Sequence, residues 1–131
     1  MRRFVTLAAT VLGLMGAAGT ALADPLEGLW KTEADDGYYA HIQMAPCGAK
    51  LCGKIARSFD AEGEVRSPNT GKTLVIDMVP QGGGRYDGKV WRPSNDKIYI
   101  GKMTLKGDSL VLKGCVAGGL LCSGQTWTRL R

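Results

Sequence analysis

Lys97-Ile98-Tyr99-Ile100-Gly101-Lys102-Met103-Thr104-Leu105, then Lys106-Gly107-Asp108, then Ser109-Leu110-Val111-Leu112-Lys113-Gly114-Cys115-Val116 has the pattern of a β-hairpin. Two runs of mixed apolar and polar residues flank a short turn that carries Gly and Asp. A period of two is the mark of a strand with one face buried, and a short turn joins only antiparallel neighbours. On that period Tyr99, Gly101, Met103 and Leu105 point inward, against Lys102 and Thr104. Likewise Leu110, Leu112, Gly114 and Val116 point inward, against Lys113 and Cys115.

Outward from this hairpin the pattern repeats. Further runs at 28–33, 38–44, 51–57, 74–79, 85–92 and 123–130 bring the strands to eight. Between them stand Asp35-Asp36-Gly37, Pro46-Cys47-Gly48, Gln81-Gly82-Gly83-Gly84, Pro93-Ser94-Asn95-Asp96 and Gly118-Gly119. Each supplies the Gly, Asn, Asp or Pro that tight turns require. Only the connection from Ser58 to Thr73 is long, and nothing after the first 23 residues has helical periodicity. The chain is therefore expected to be all-β, an eight-stranded antiparallel up-and-down meander. It can close into a barrel or lie as a flat sandwich. Closure removes both free edges, with the first and last runs as partners.

The remaining faces follow the same period. Tyr38, Ala40, Ile42 and Met44 are expected inside, as are Leu51, Gly53 and Ile55. Asp77 argues that Leu74, Ile76 and Met78 point inward. Gly53, Gly101 and Gly114 thus fall on the inner face. They either leave room for a guest or let bulky neighbours fill the space, and an eight-stranded barrel is just wide enough for both outcomes.

The first residues read as an address. Arg2 and Arg3 precede an uncharged run rich in Ala, Leu, Val and Gly from Phe4 to Gly19, and Ala21-Leu22-Ala23 has the small-x-small form of a signal-peptidase site. The run is shorter than the roughly 20 apolar residues of a membrane span. Residues 1–23 are expected to be a signal peptide and 24–131 a single domain, exported to the periplasm or secreted. No membrane span is expected after cleavage. Loss of two basic residues lowers the formal charge from +5 to +3, and the lysines are scattered singly, so no nucleic-acid footprint is expected.

All four cysteines lie in the exported part, as Cys47-Gly-Ala-Lys-Leu-Cys52 and Cys115-Val-Ala-Gly-Gly-Leu-Leu-Cys122. Each pair spans a Gly-containing turn between strands, which favours bridges Cys47–Cys52 and Cys115–Cys122. The rival is a four-cysteine metal site. Metal ribbons usually repeat a tighter Cys-x-x-Cys spacing, and an oxidising compartment favours disulfides. No metal and no cofactor is expected.

No catalytic residue is assigned. His41 is the one histidine, and it falls on an outward face. Gly-x-Ser-x-Gly is absent, and the acids Asp35, Asp36, Asp60 and Asp96 sit where turns want Asp. Thr70-Gly71-Lys72-Thr73 resembles the end of a phosphate loop, but Arg66 stands where the first glycine belongs.

One constellation is specific. Gly28-Leu29-Trp30 opens the first strand and Thr126-Trp127-Thr128-Arg129 ends the last, so in a closed barrel Arg129 can lie over the Trp30 indole. Gly28, Trp30 and Arg129 resemble the closure signature of lipocalin-like (calycin-type) barrels. Gly28-Leu29-Trp30-Lys31-Thr32, Leu51-Cys52-Gly53-Lys54-Ile55, Leu110 to Cys115 and Gln125 to Arg129 together resemble the small exported bacterial proteins of domain of unknown function family 2147. The resemblance covers about Pro25 to Arg131. The chain departs from it at Trp91-Arg92-Pro93 and Asp96-Lys97-Ile98-Tyr99, where the family tends to have Tyr-Asp-Pro and Gly-Lys-x-Tyr, and in a shortened connection from Ser58 to Thr73.

The expected function is non-catalytic binding of a small apolar molecule. Tyr38, Ile42, Ile55, Met78, Tyr99, Met103 and Leu112 are the candidate lining. Aromatic hydroxyls and flexible methionines on an apolar wall suit such a pocket. The alternative is a solid barrel that works through its surface as an envelope interaction or inhibitor module, anchored by Trp91 beside Arg92. Neither ligand nor protein partner is named by these residues.

Overall fold

A computed structural model describes residues 22–131, so the expected signal segment lies outside the described residues except for Leu22 and Ala23. The strands are β1 (Gly28–Lys31), β2 (Tyr39–Cys47), β3 (Lys50–Asp60), β4 (Gly63–Val65), β5 (Thr73–Gly82), β6 (Arg85–Arg92), β7 (Lys97–Lys106), β8 (Ser109–Val116) and β9 (Leu121–Arg129). All pairings are antiparallel, in the order β2-β1-β9-β8-β7-β6-β5-β3-β4, and β2 also pairs with β3. That last pairing closes a ring of eight strands. The barrel is therefore closed, and the sandwich alternative falls away. β4 is the strand the sequence pattern does not show. It folds back antiparallel on the end of β3 within the long connection, where Arg57 and Glu64 form an exposed ion pair at 3.7 Å. Among the described residues no helix is long and apolar enough to cross a membrane.

Because neighbouring strands alternate in direction, the turns sort to two ends. The turns at 48–49, 83–84 and 107–108 share one end with the two ends of the described chain. The loops at 32–38, 61–72, 93–96 and 117–120 share the other.

The first end is sealed by packing. Leu26 and Trp30 are fully buried, together with Met44, Met78, Met103 and Leu110. Burial of an indole requires a partner for its N–H, and Trp30 Nε1 donates to the Leu26 carbonyl at 2.9 Å. Arg129 stands opposite Trp30 in the β1–β9 register, with its guanidinium carbon 4.3 Å from the ring centre. It also donates to the carbonyls of Glu27 and Pro25 and pairs with Asp108 at 3.2 Å. Gly28 makes room for this: its φ is +129°, and a Cβ there would strike the Arg131 carbonyl. Tyr86 adds a further tie by donating to the Asp24 carboxylate at 2.6 Å. Burial, and then that carboxylate, push the Tyr86 hydroxyl's pKa well above its ordinary value.

Two bridges tie hairpins, Cys47–Cys52 across β2–β3 at the sealed end and Cys115–Cys122 across β8–β9 at the other. Cys115 and Cys122 face each other directly in the register, with Cα atoms 4.1 Å apart.

The inward assignments need three corrections. Tyr38 precedes β2, bridged to Asp35 in a turn, and is 57% exposed rather than inside. Val116 has passed the rim and is 46% exposed. In β5 a bulge between Ile76 and Val79 breaks the period, with Asp77 at φ +52°. Val75 and Met78 are both fully buried, and Ile76, expected inward, is only half-buried. One extra residue in a strand shifts the parity of every side chain beyond it. The bulge also explains Gly88, where a Cβ would lie 2.6 and 2.7 Å from the carbonyl oxygens of Ile76 and Asp77.

Candidate functional site

The inner glycines divide the barrel. Gly88 pairs with Gly101, Gly101 with Gly114, and Gly114 with Ser123, so a belt of residues with little or no side chain crosses β6 to β9. Next along the strands toward the sealed end is the row Tyr86, Met103, Leu112 and Gln125. At Gly101 the space is used, since a Cβ there would lie 2.8 Å from the Met78 methyl. A Cβ on Gly53 would lie 2.6 Å from Met44 sulfur and 2.8 Å from an Ile42 methyl. Gly114 differs. A Cβ there would meet Tyr99 and Val90 only at 3.5–3.6 Å, ordinary contact distances.

A cavity of about 540 Å³ opens to solvent between the loops and, on the β8–β9 side, reaches past the belt to Leu112, Gln125 and Trp127. The buried members of its wall are Ile55, Leu74, Val90, Leu112 and Trp127, joined by Ala40 and Gly114. Its mouth is polar, with Thr32, Glu33, Asp35, Asp36, Arg66, Ser67, Asn69, Arg92 and Ser94. The barrel is thus solid in one half and hollow in the other.

Loops are locked across the mouth. Asp35 accepts two hydrogen bonds from Arg92, from Nε and Nη2, each 2.8 Å, and a third from Ser94 at 3.1 Å. This joins the β1–β2 loop to the β6–β7 turn. The Arg92 guanidinium holds the Asp35 carboxyl below its ordinary pKa, against the opposing effect of burial. On the same turn Asn95 donates to the Tyr99 hydroxyl at 2.7 Å and Trp91 Nε1 to Asp96 at 2.8 Å. Lys72, from the long connection, lies 5.6 Å from the Trp91 ring centre. Trp91, Arg92 and Pro93, where the chain departs from the family pattern, all line the mouth.

The candidate lining residues separate. Tyr38, Ile55 and Leu112 are on the cavity wall, with Tyr38 at the rim. Ile42, Met78 and Met103 are buried in the filled half, and Tyr99 packs against the core with its hydroxyl on Asn95. Trp127, Leu74 and Val90 were missed as lining residues, although the period of two places Leu74 inward. Arg66, Ser67 and Asn69 were missed because the long connection carries no periodic signal. His41 lies on the outer face of β2, its ring 4.4 Å from that of Phe59, and is not part of the wall. Burial, with Arg57 and Lys31 nearby, lowers its pKa. Asp77 has a carboxylate oxygen 3.7–3.9 Å from the sulfurs of Cys47 and Cys52, but these are joined to each other.

Comparison with known proteins agrees with the architecture. Among solved structures, the protein HP1028 of Helicobacter pylori, described as belonging to the lipocalin family, superimposes with a TM-score of 0.64. The two are 17% identical over 81% of this chain and 83% of that one, a likeness of fold. No curated protein sequence matches. Residues 28–129 match the family described as "Uncharacterized protein conserved in bacteria (DUF2147)". With its closed barrel and its terminal strands joined through Trp30 and Arg129, the chain belongs to that family.

Proposed function

We propose that this protein is an exported, non-catalytic carrier of a small, largely apolar molecule, held in the hollow half of the barrel. The observation that carries this reading is the cavity itself. Its volume, about 540 Å³, falls in the ordinary range for small-molecule sites, roughly 300–1,000 Å³. Its depth is apolar and its polar groups are gathered at the mouth, so a ligand would bury a hydrocarbon body and leave any polar end near Arg66, Ser67 and Asn69. Two bridged hairpins in a chain of a bacterial family support the exported address, and cleavage after Ala23 would leave the whole barrel intact.

Titration with an apolar, environment-sensitive dye, or with a native lipid extract, tests the reading. The parent is expected to take up one molecule per barrel. Gly114→Leu would put an isobutyl group into the cavity and abolish uptake with little change in melting temperature. Gly101→Leu would collide with Met78 in the filled half and lower stability by about 1–3 kcal/mol, the usual effect of overpacking. No uptake by the parent, or undiminished uptake by Gly114→Leu, would overturn carriage in this cavity.

A further inference from the structure

The β8–β9 hairpin ends in Val116-Ala117-Gly118-Gly119-Leu120-Leu121, a connection without one polar side chain. Surface turns are usually built from polar residues and glycine. Here Leu120 is 85% and Leu121 66% exposed, and the Cys115–Cys122 bridge fixes the hairpin directly beneath them. The apolar surface continues sideways. Ile100 faces Cys115 across the β7–β8 ladder, and Ile98, two residues nearer the rim, is 61% exposed.

Below this tip the charge changes abruptly. Two residues from Ile100 on the same outer face is Lys102, directly opposite Lys113. Lys89 stands opposite Ile100 on the other side. Lys102 reaches up toward the tip, with its ammonium beside Gly119. These three lysines face one acid, Asp87, which stands opposite Lys102 on β6. Like charges set directly opposite on a strand pair are unfavourable in water.

From this layering we propose that the hairpin tip docks on an anionic lipid bilayer beside the cavity mouth. Leu120, Leu121 and Ile98 would enter the acyl boundary while the lysines meet the headgroups. The level fits: the Lys102 ammonium lies beside Gly119, next to Leu120 in the chain, and interfacial elements sink roughly 5–10 Å. Lysines suit this level because their stems lie along apolar matter while their charges stay in the headgroup layer. A protein partner fits less well. Stable protein interfaces bury about 800 Å² per side, whereas this surface is one narrow turn with Ile98 and Ile100 beside it, edged by lysines. The docking stands on the tip and its lysines alone. Its link to carriage is position: Ser123, Gly124 and Gln125, which follow the tip in β9, line the cavity.

The test is co-sedimentation of the whole exported chain with vesicles of phosphatidylcholine alone or mixed with phosphatidylglycerol. Binding is expected to the mixed vesicles, to weaken with added salt, and to be slight on the neutral ones. Leu120→Ser with Leu121→Ser, and separately Lys102→Glu with Lys113→Glu, should each reduce partitioning by about tenfold or more. Both pairs are exposed, so melting temperatures should stay at the parent's value. Leu120→Trp should add blue-shifted emission on mixed vesicles only. Failure of the parent to sediment with mixed vesicles, or unchanged partitioning of the serine pair, overturns the proposal. So would a concentration-dependent dimer that the serine pair abolishes in the absence of vesicle binding. Loss of dye uptake with vesicle binding retained would count against carriage and leave the docking standing.

Discussion

Arg129 meets four partners at once: the Trp30 ring, two backbone carbonyls and Asp108. Its position is inseparable from Gly28, since any side chain there would occupy the space of the last residues. Trp30→Ala is expected to lower the unfolding free energy by about 3–5 kcal/mol, as for a large aromatic truncated in a core. Arg129→Ala should do measurably less, because water replaces part of its contacts. Denaturant titration reading Trp30→Ala within about 0.5 kcal/mol of the parent, the range of ordinary surface changes, would contradict this account of the seal. These residues were legible because a glycine, an indole and a terminal arginine have few other reasons to share the two chain ends. Tyr38 was not. Its alternation with Ala40 and Ile42 is intact, but a strand's first residue can belong to the turn before it, and Asp35 claims it.

In the hairpin of β7 and β8 the pattern held as far as Val116 at the rim, while in β5 it broke mid-strand. A bulge is a local excess of one residue, and Leu74 to Val79 carries no glycine to announce it. Gly88 was the available clue, on the facing strand rather than on the bulged one. The mouth loops present a different case, since the Asp35–Arg92 tie depends on two turns meeting across the barrel. Its pH dependence has a definite sign. Asp35's pKa is lowered in the folded chain, so its stabilisation is present above the ordinary carboxylate value of about 3.9 and is lost as pH falls through the folded value. His41 acts earlier. Its pKa is also lowered, so the unfolded chain takes up a proton first, and stability begins to decline as pH falls below about 6.5. Denaturation midpoints measured against pH should show both declines. His41→Gln should remove the upper one, and Asp35→Asn the lower one.

For the whole molecule, the eight barrel strands and their order were readable from turns and period, β4 was not, and closure was the outcome that pairs both edges. Whether the interior is filled was not readable. It depends on how far Met78 and Met44 lean over particular glycines, and two inward glycines directly opposite each other in the β7–β8 register met opposite fates. Gly101 lies under a methyl group, and Gly114 borders empty space.

Ring closure also bears on the order of events in folding. Every pairing except β1 with β9 joins strands that are consecutive in the chain or separated only by β4. The β1–β9 pair joins opposite ends of the sequence, and the entropy of closing so long a loop must be met before the contact returns anything. Closure is therefore expected late, after the β7–β8 hairpin has formed. In stopped-flow measurements, Arg129→Ala should mainly accelerate unfolding, whereas Leu112→Ala should mainly slow folding. The same order run backwards makes the seam the first place to part. Two strand edges would then be bared on one molecule, and a second molecule in the same state could offer its own β9 to the first one's β1. How long a preparation stays monomeric would thus be governed by the lifetime of one cation over one indole.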